Sequence, residues 1–363
     1  MNEKGKNKIL FLVEVFILVL LSGCGNDRII DKIQIIDTLA YDKKGDKIEG
    51  MVIYPLFTEK GKTVLKDFKT VTGTFEDILP RLDTKAAYPI GIGKLDMVLF
   101  GKEFAKRGVA EALISLSKDP TAGSRMQIAI ADPSAEEILT SSEKVQLPFH
   151  ISEKINHNIE KGNLPKMNLH VFLSDYYTEG KDACLPYIII EKGQLKINGL
   201  ALLRHGQYVQ KINMRQAFIL KMLLQQHFGN GNYKAKIKVN NQEISLLLRN
   251  LASKTTYTVE TNKPIPRILI DLTLNAQVRY EPQSSIISEK NNYTEKLLQN
   301  YFNDEVSDLV SLFQKYSVDP IGLGDKVRAH SRNWNYQKFR QNYPKLKPTV
   351  HTHIHIVNSG IVQ

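Results

Sequence analysis

Only two of the 363 residues are cysteine, Cys24 and Cys184. No disulfide framework can be built from so few. There is no Cys-x-x-Cys, no His-Glu-x-x-His and no Gly-x-x-x-x-Gly-Lys-Ser/Thr, so the common zinc and phosphate-loop signatures are missing. No Ser, His and Asp are ordered or flanked as in a hydrolase. Internal repeats and low-complexity tracts are absent, and tryptophan occurs once, at Trp334. After Leu21 no long apolar run occurs, which leaves no second membrane-spanning segment to predict. These absences point away from an enzyme and imply no cofactor.

What is present begins at the N-terminus. Lys4, Lys6 and Lys8 precede ILFLVEVFILVLL, residues 9–21, and the small residues Ser22 and Gly23 follow. This is the three-part layout of an export signal. The apolar run falls short of the roughly 20 residues a spanning helix needs, and Glu14 interrupts it. Leu21-Ser22-Gly23-Cys24 resembles the lipobox of bacterial lipoproteins. That resemblance implies lipidation of the Cys24 thiol by a diacylglyceryl group and cleavage before it. Two acyl chains anchor stably where one binds marginally. The alternatives are an ordinary secretory signal or an uncleaved anchor. Removing residues 1–23 takes away three lysines and two glutamates, leaving 340 residues and a net charge of +10 in place of +11. Export argues against nucleic acid as the partner of that charge. A basic face near anionic lipid, worth about 1 kcal/mol per Lys or Arg, is one reading. Charge spread over solvated faces is the other.

The mature length suggests two or three domains. After a polar tether, IQIIDTLAYD (33–42) and KIEGMVIYPLF (47–57) read as strands joined by a turn. TFEDILPRLDTKAA (74–87) reads as a helix capped by Thr74 and shortened or kinked by Pro80. KLDMVLFG is a buried strand, KEFAKRGVAEALISLSKD (102–119) a single helix, and RMQIAIAD a strand. Ser134 and Glu137 have the spacing of a capping box. Ile151, Ile155 and Ile159 mark a helix stopping at Gly162. NLHVFLSDYY (168–177) and LPYIIIEKG (185–193) both read as strands.

The texture changes near Glu191. A hairpin over 193–212 is followed by a helix framed by Asn213 and Gln216 and ending at Gly229. From Lys234 to Glu281 alternation dominates, with Ile268, Ile270, Leu272, Leu274, Ala276 and Val278 on one face. A long helix over 291–317, with Leu298, Tyr301, Val306, Leu309 and Phe313 as its apolar stripe, is placed to cover that face. TVHTHIHIV (349–357) is the last strand. The expected fold is α+β and multi-domain: mostly antiparallel or mixed sheets covered by helices, with the long helix on the C-terminal sheet. The expected division is 1–23 signal peptide, 24–190 N-terminal α+β domain, and 191–363 C-terminal α+β domain with a possible smaller subdomain.

Five features carry candidate chemistry. His351, His353 and His355 project from one face of a strand and would need a further ligand to hold zinc. Val350, Thr352, Ile354 and Ile356 on the other face explain the segment as a half-buried strand, so no metal is expected there. Gly91 and Gly93 fail the phosphate-loop spacing and read as a turn into a strand. Asp319 with the glycines of DPIGLGDKV forms either an anion nest or a helix cap, with the cap favoured. Cys184 reads as a partly buried thiol beside a strand, and Trp334 as a packing anchor.

Lipobox, short linker and IQIIDTLAYDKKG together resemble the start of the Ger(x)C lipoproteins of endospore-forming bacteria. The resemblance continues through residues 74–140, the KYSVDPIGLGDKVRAHSRNWN segment and the C-terminal strand closed by SGIV. Order and spacing carry it more than any single motif. It implies the C subunit of a nutrient germinant receptor, non-enzymatic, lipid-anchored through Cys24 on the outer face of the spore inner membrane. It implies assembly with an A and a B membrane subunit in nutrient-triggered germination. Two other classes remain open: a substrate-binding lipoprotein of a transporter, which should show repeated βα units in two lobes, and a lipidated metal-binding protein using His351, His353 and His355.

Overall fold

The computed structural model describes residues 33–57, 63–144, 149–225, 229, 231–239, 242–280 and 291–357. In chain order the strands and helices are β1 Gln34–Ile35, β2 Thr38–Lys44, β3 Lys47–Phe57, β4 Thr63–Thr72, α1 Ile78–Asp83, β5 Ile90–Gly91, β6 Met97–Gly101, α2 Lys102–Ala105, α3 Ala110–Ser117, β7 Gln127–Asp132, α4 Ala135–Glu143, α5 His150–Glu160 and α6 Leu169–Tyr177. There follow β8 Cys184–Glu191, β9 Gln194–Arg204, β10 Gln207–Ile212, α7 Met214–Leu224, β11 Gly231–Val239, β12 Gln242–Glu260, β13 Arg267–Tyr280, α8 Asn291–Lys315, α9 Leu323–Ala329, α10 Tyr336–Asn342 and β14 Thr349–Ile356. The fold is α+β with mixed sheets.

Eight strands form the larger sheet, in the order β10-β9-β8-β7-β6-β2-β3-β4. Its centre, β2, β6, β7 and β8, is parallel, and the flanks are antiparallel. Every residue of β6 is buried. Met97 and Leu99 point into one core, Val98 and Phe100 into the other. A parallel strand covered on both faces needs such a continuous apolar run. β9 and β10 lie beyond the change of texture at Glu191 and still belong to this sheet.

The second sheet has the order β11-β12-β13-β14. β13 is antiparallel to β12 and parallel to β14, with α8 as the crossover. Helix α8 packs on β14 and β11. On its stripe Leu298, Val306, Leu309 and Phe313 are buried, and Tyr301 is half-buried. Helix α7 touches β9 of one sheet, β12 of the other, and α8. Ala217 to Leu223 are all buried, as befits a helix wedged between two layers. A single apolar cluster therefore runs from Met97 through Phe218 to Ile354, fusing the halves into one core.

Four local expectations are corrected. Within residues 168–177, Leu169–Tyr177 form helix α6, with the Asn168 side chain accepting from the Val171 amide at 2.9 Å as its N-cap. Buried Leu169 and Phe172 stand one turn apart, the spacing of a helix face. The segment 102–119 is two helices, broken where Gly108 adopts φ +128. Helix α1 starts at Ile78, with Asp77 in place of Thr74 at its N-cap. Pro80 thereby falls in the first turn, where no amide donor is required. The helix after Asn213 ends at Leu224, short of Gly229.

Candidate functional site: the joint between the halves

The most elaborate polar arrangement joins the connection before β8 to the DPIGLG turn. Asp319 is fully buried. Its Oδ1 accepts from the Gly322 and Leu323 amides at 2.9 and 3.0 Å, and its Oδ2 from the Gly324 amide at 2.8 Å. The cluster of amides is thus filled by the protein's own carboxylate; Gly322 holds the N-cap position of α9, and Asp319 closes the helix start from three residues before it. Gly322 reaches φ +74, a left-handed conformation that suits glycine.

A second carboxylate ties this turn to the N-terminal half. Asp182 Oδ2 accepts from the Asp319 amide at 2.8 Å and from Arg340 Nη1 at 3.1 Å. The Asp182 amide donates back to the Asp319 carbonyl at 2.9 Å. Arg340 Nη2 donates to the Ser317 carbonyl at 2.6 Å, and the Tyr343 hydroxyl to the Val318 carbonyl at 2.8 Å. Gly180 completes the approach: its φ is +82, and a Cβ there would lie 2.6 Å from the Gly324 carbonyl carbon. Burial pushes the Asp319 carboxyl up to about 7, and the Asp182 charge adds to that while the three amides oppose it. Nothing in this joint presents a nucleophile beside a base. Its chemistry is that of a rigid clasp.

The remaining sequence candidates are not brought together. Cys24 lies outside the described residues. Cys184 is buried in β8, where burial pushes its thiol up to about 12, the opposite of activation. His351, His353 and His355 line the exposed face of the edge strand β14. His351 Nδ1 and His353 Nε2 lie 3.8 and 3.9 Å from Asp271 Oδ1, the carboxylate on the neighbouring strand. Among the described residues no group of three or more His, Cys, Asp or Glu is placed to hold a metal. Gly91 lies in β5, paired with β1, and Gly93 in the turn that leads to β6. Trp334 donates from Nε1 to Glu179 Oε2 at 2.8 Å and packs against Phe339.

Sequence reasoning missed Asp182, Arg340 and Gly180. Asp182 lies 137 residues from Asp319 and 158 from Arg340, and Gly180 is likewise remote in sequence from Gly324, in segments with no motif of their own. Among the described helices none is long and apolar enough to cross a membrane.

Comparison with known proteins gives a consistent family. Residues 26–190 match the model described as spore germination protein N-terminal domain, and residues 198–360 the model described as spore germination B3/GerAC-like, C-terminal. The spore germination protein GerQC of Bacillus cereus is 26% identical over 99% of this chain and 100% of its own. The putative spore germination protein YfkR of Bacillus subtilis is 23% identical over 97% of this chain and 96% of its own. The crystal structure of the GerBC protein shares the fold with TM-score 0.56 at 15% identity, covering 88% of this chain and 97% of that one. With both halves matched in order, the chain belongs to the Ger(x)C family of spore germination proteins.

Proposed function

We propose that this protein is the lipid-anchored C subunit of a nutrient germinant receptor, held on the outer face of the spore inner membrane through diacylglyceryl-Cys24 and assembled with an A and a B membrane subunit. The observation that carries the reading is the match of two successive germination-protein models to residues 26–190 and 198–360. The shared core and the clasp at Asp319 suit a subunit that presents surfaces and not a moving active site. The fusion of the halves through α7 also disfavours the two-lobed transporter lipoprotein, whose lobes close about a cleft.

The test is germination of spores that lack the chain, followed as loss of refractility after nutrient addition. The account expects loss of the response to at least one nutrient mixture that germinates wild-type spores, with restoration by the wild-type gene. It expects weak restoration by Cys24→Ala at equal abundance. An undiminished response to every nutrient that germinates the wild type would contradict it.

A further inference from the structure

A cavity of about 510 Å³ opens between the β12–β13 connection and the segment from the end of α9 to α10. That volume is in the range of small-molecule sites. Its floor is apolar: Val327 and Phe339 are buried, and Trp334 packs on Phe339 with ring centroids 5.3 Å apart. The indole is fixed by its hydrogen bond to Glu179. Pro264 and Pro266 form a stiff opposite wall.

The rim has one sign of charge. Lys263, Arg332 and Lys338 line the cavity together with His330, and no Asp or Glu is among the lining residues. Among the described residues none of these three cations forms an ion pair, although Lys and Arg elsewhere on the surface do. Glu179 is engaged by Trp334, and Asp325 by Arg328 at 2.7 Å. His330 Nδ1 faces the Lys326 carbonyl at 2.9 Å, so that nitrogen carries the proton. Cations left unpaired around an apolar floor focus positive potential on the opening.

We infer that this cavity is a binding site for a small organic anion, a carboxylate or phosphate on a flat apolar body. The body lies against Trp334 and the proline wall, and the anion meets Arg332, Lys338 and Lys263. Guanidinium and ammonium donors to such an anion make charge-assisted hydrogen bonds. The site does not depend on receptor assembly, so a chain that failed to join partner subunits would still bind.

Trp334 is the sole tryptophan, and its emission reports occupancy directly. The full chain in neutral detergent is titrated with phenyl phosphate, benzoate and the uncharged benzyl alcohol. The expected result is a saturable change with at least one of the two anions and none with benzyl alcohol over the same range. The doubly substituted Arg332→Ala/Lys338→Ala chain, altered at two exposed positions, should raise half-saturation about tenfold or more. Lys66→Ala, on β4 of the other sheet, should leave it unchanged. No saturable change with either anion, equal response to benzyl alcohol, or wild-type binding by the double variant would overturn the inference. A response confined to phosphatidylglycerol vesicles would overturn it too, because the charge would then serve a membrane surface.

Discussion

The eight-stranded and the four-stranded sheet solve the same problem in different ways. In the larger one, β6 and β7 are buried on both faces, and consecutive residues serve separate cores. In the smaller one, β11 reads buried and exposed in strict alternation from Gly231 to Lys238. β13 buries Ile268, Ile270, Leu272, Leu274 and Ala276 on one face while Thr273 stays exposed. The first sheet is an interior layer. The second is a wall, with one face in the core and one facing outward. The difference teaches where surface is available to partners: the outward face of the smaller sheet, not the centre of the larger.

Neighbouring substitutions test that contrast most strongly. Leu99→Ala and Phe100→Ala are adjacent in β6, and each is expected to cost about 2–5 kcal/mol, because each opens a cavity in a different core. On β13, Leu272→Ala should cost about the same, whereas Thr273→Ala should stay within about 0.5 kcal/mol. Urea midpoints of the four variants decide it. A costly Thr273→Ala, or a harmless member of the β6 pair, would break the distinction.

The clasp that joins the two regions should come next in magnitude. Asp319→Ala leaves three buried amides without their acceptor and should cost about 3 kcal/mol or more. Gly180→Ala forces a side chain into a left-handed position against the Gly324 backbone and should cost about 2 kcal/mol or more. Both are read from denaturation midpoints, with the Thr273→Ala chain as reference.

A further effect is pH-dependent. The folded Asp319 carboxyl titrates near 7, against 3.8 for an ordinary aspartate. Between those values the folded state holds a proton that the unfolded state has released. Its contribution is therefore fully present below about 3.8 and is lost as pH rises through about 7. Asp319→Asn should show a smaller gain in midpoint from pH 8 to pH 5 than the wild type. Equal gains would remove Asp319 from the account.

The smallest effect is expected on the outward face. His351→Ala and His353→Ala together should change stability by less than about 1 kcal/mol, since both side chains are exposed and sit 3.8 Å or more from Asp271. Stoichiometric zinc in the purified chain, lost in this double variant, would revive the metal-binding reading.

Much of this contrast was legible in the residues. Alternation located the smaller sheet, and the stripe on residues 291–317 identified the helix that covers it. The failures have physical causes. Residues 168–177 are rich in aromatics and contain Val171, which favours a strand reading, yet Asn168 caps a helix there. Gly108 splits a helix because the chain turns on its positive φ, a demand set by the neighbouring Gly206 segment, whose carbonyl accepts from the Val109 amide at 2.9 Å. The parallel pairing of β14 with β13 leaves no mark on local pattern, since either direction shows the same alternation. Asp319 was legible as a cap because its partners lie three to five residues away. Asp182 and Arg340 were not, because only the packing of distant segments brings them together.

The most direct measurement of the central claim is co-purification from detergent-solubilised spore inner membranes followed by mass spectrometry, with wild type beside Cys24→Ala. The account predicts that the wild-type chain recovers two multi-spanning partners, one of them transporter-like, and that the variant loses them. Recovery of an ATP-driven permease, or of no membrane partner at all, would contradict it.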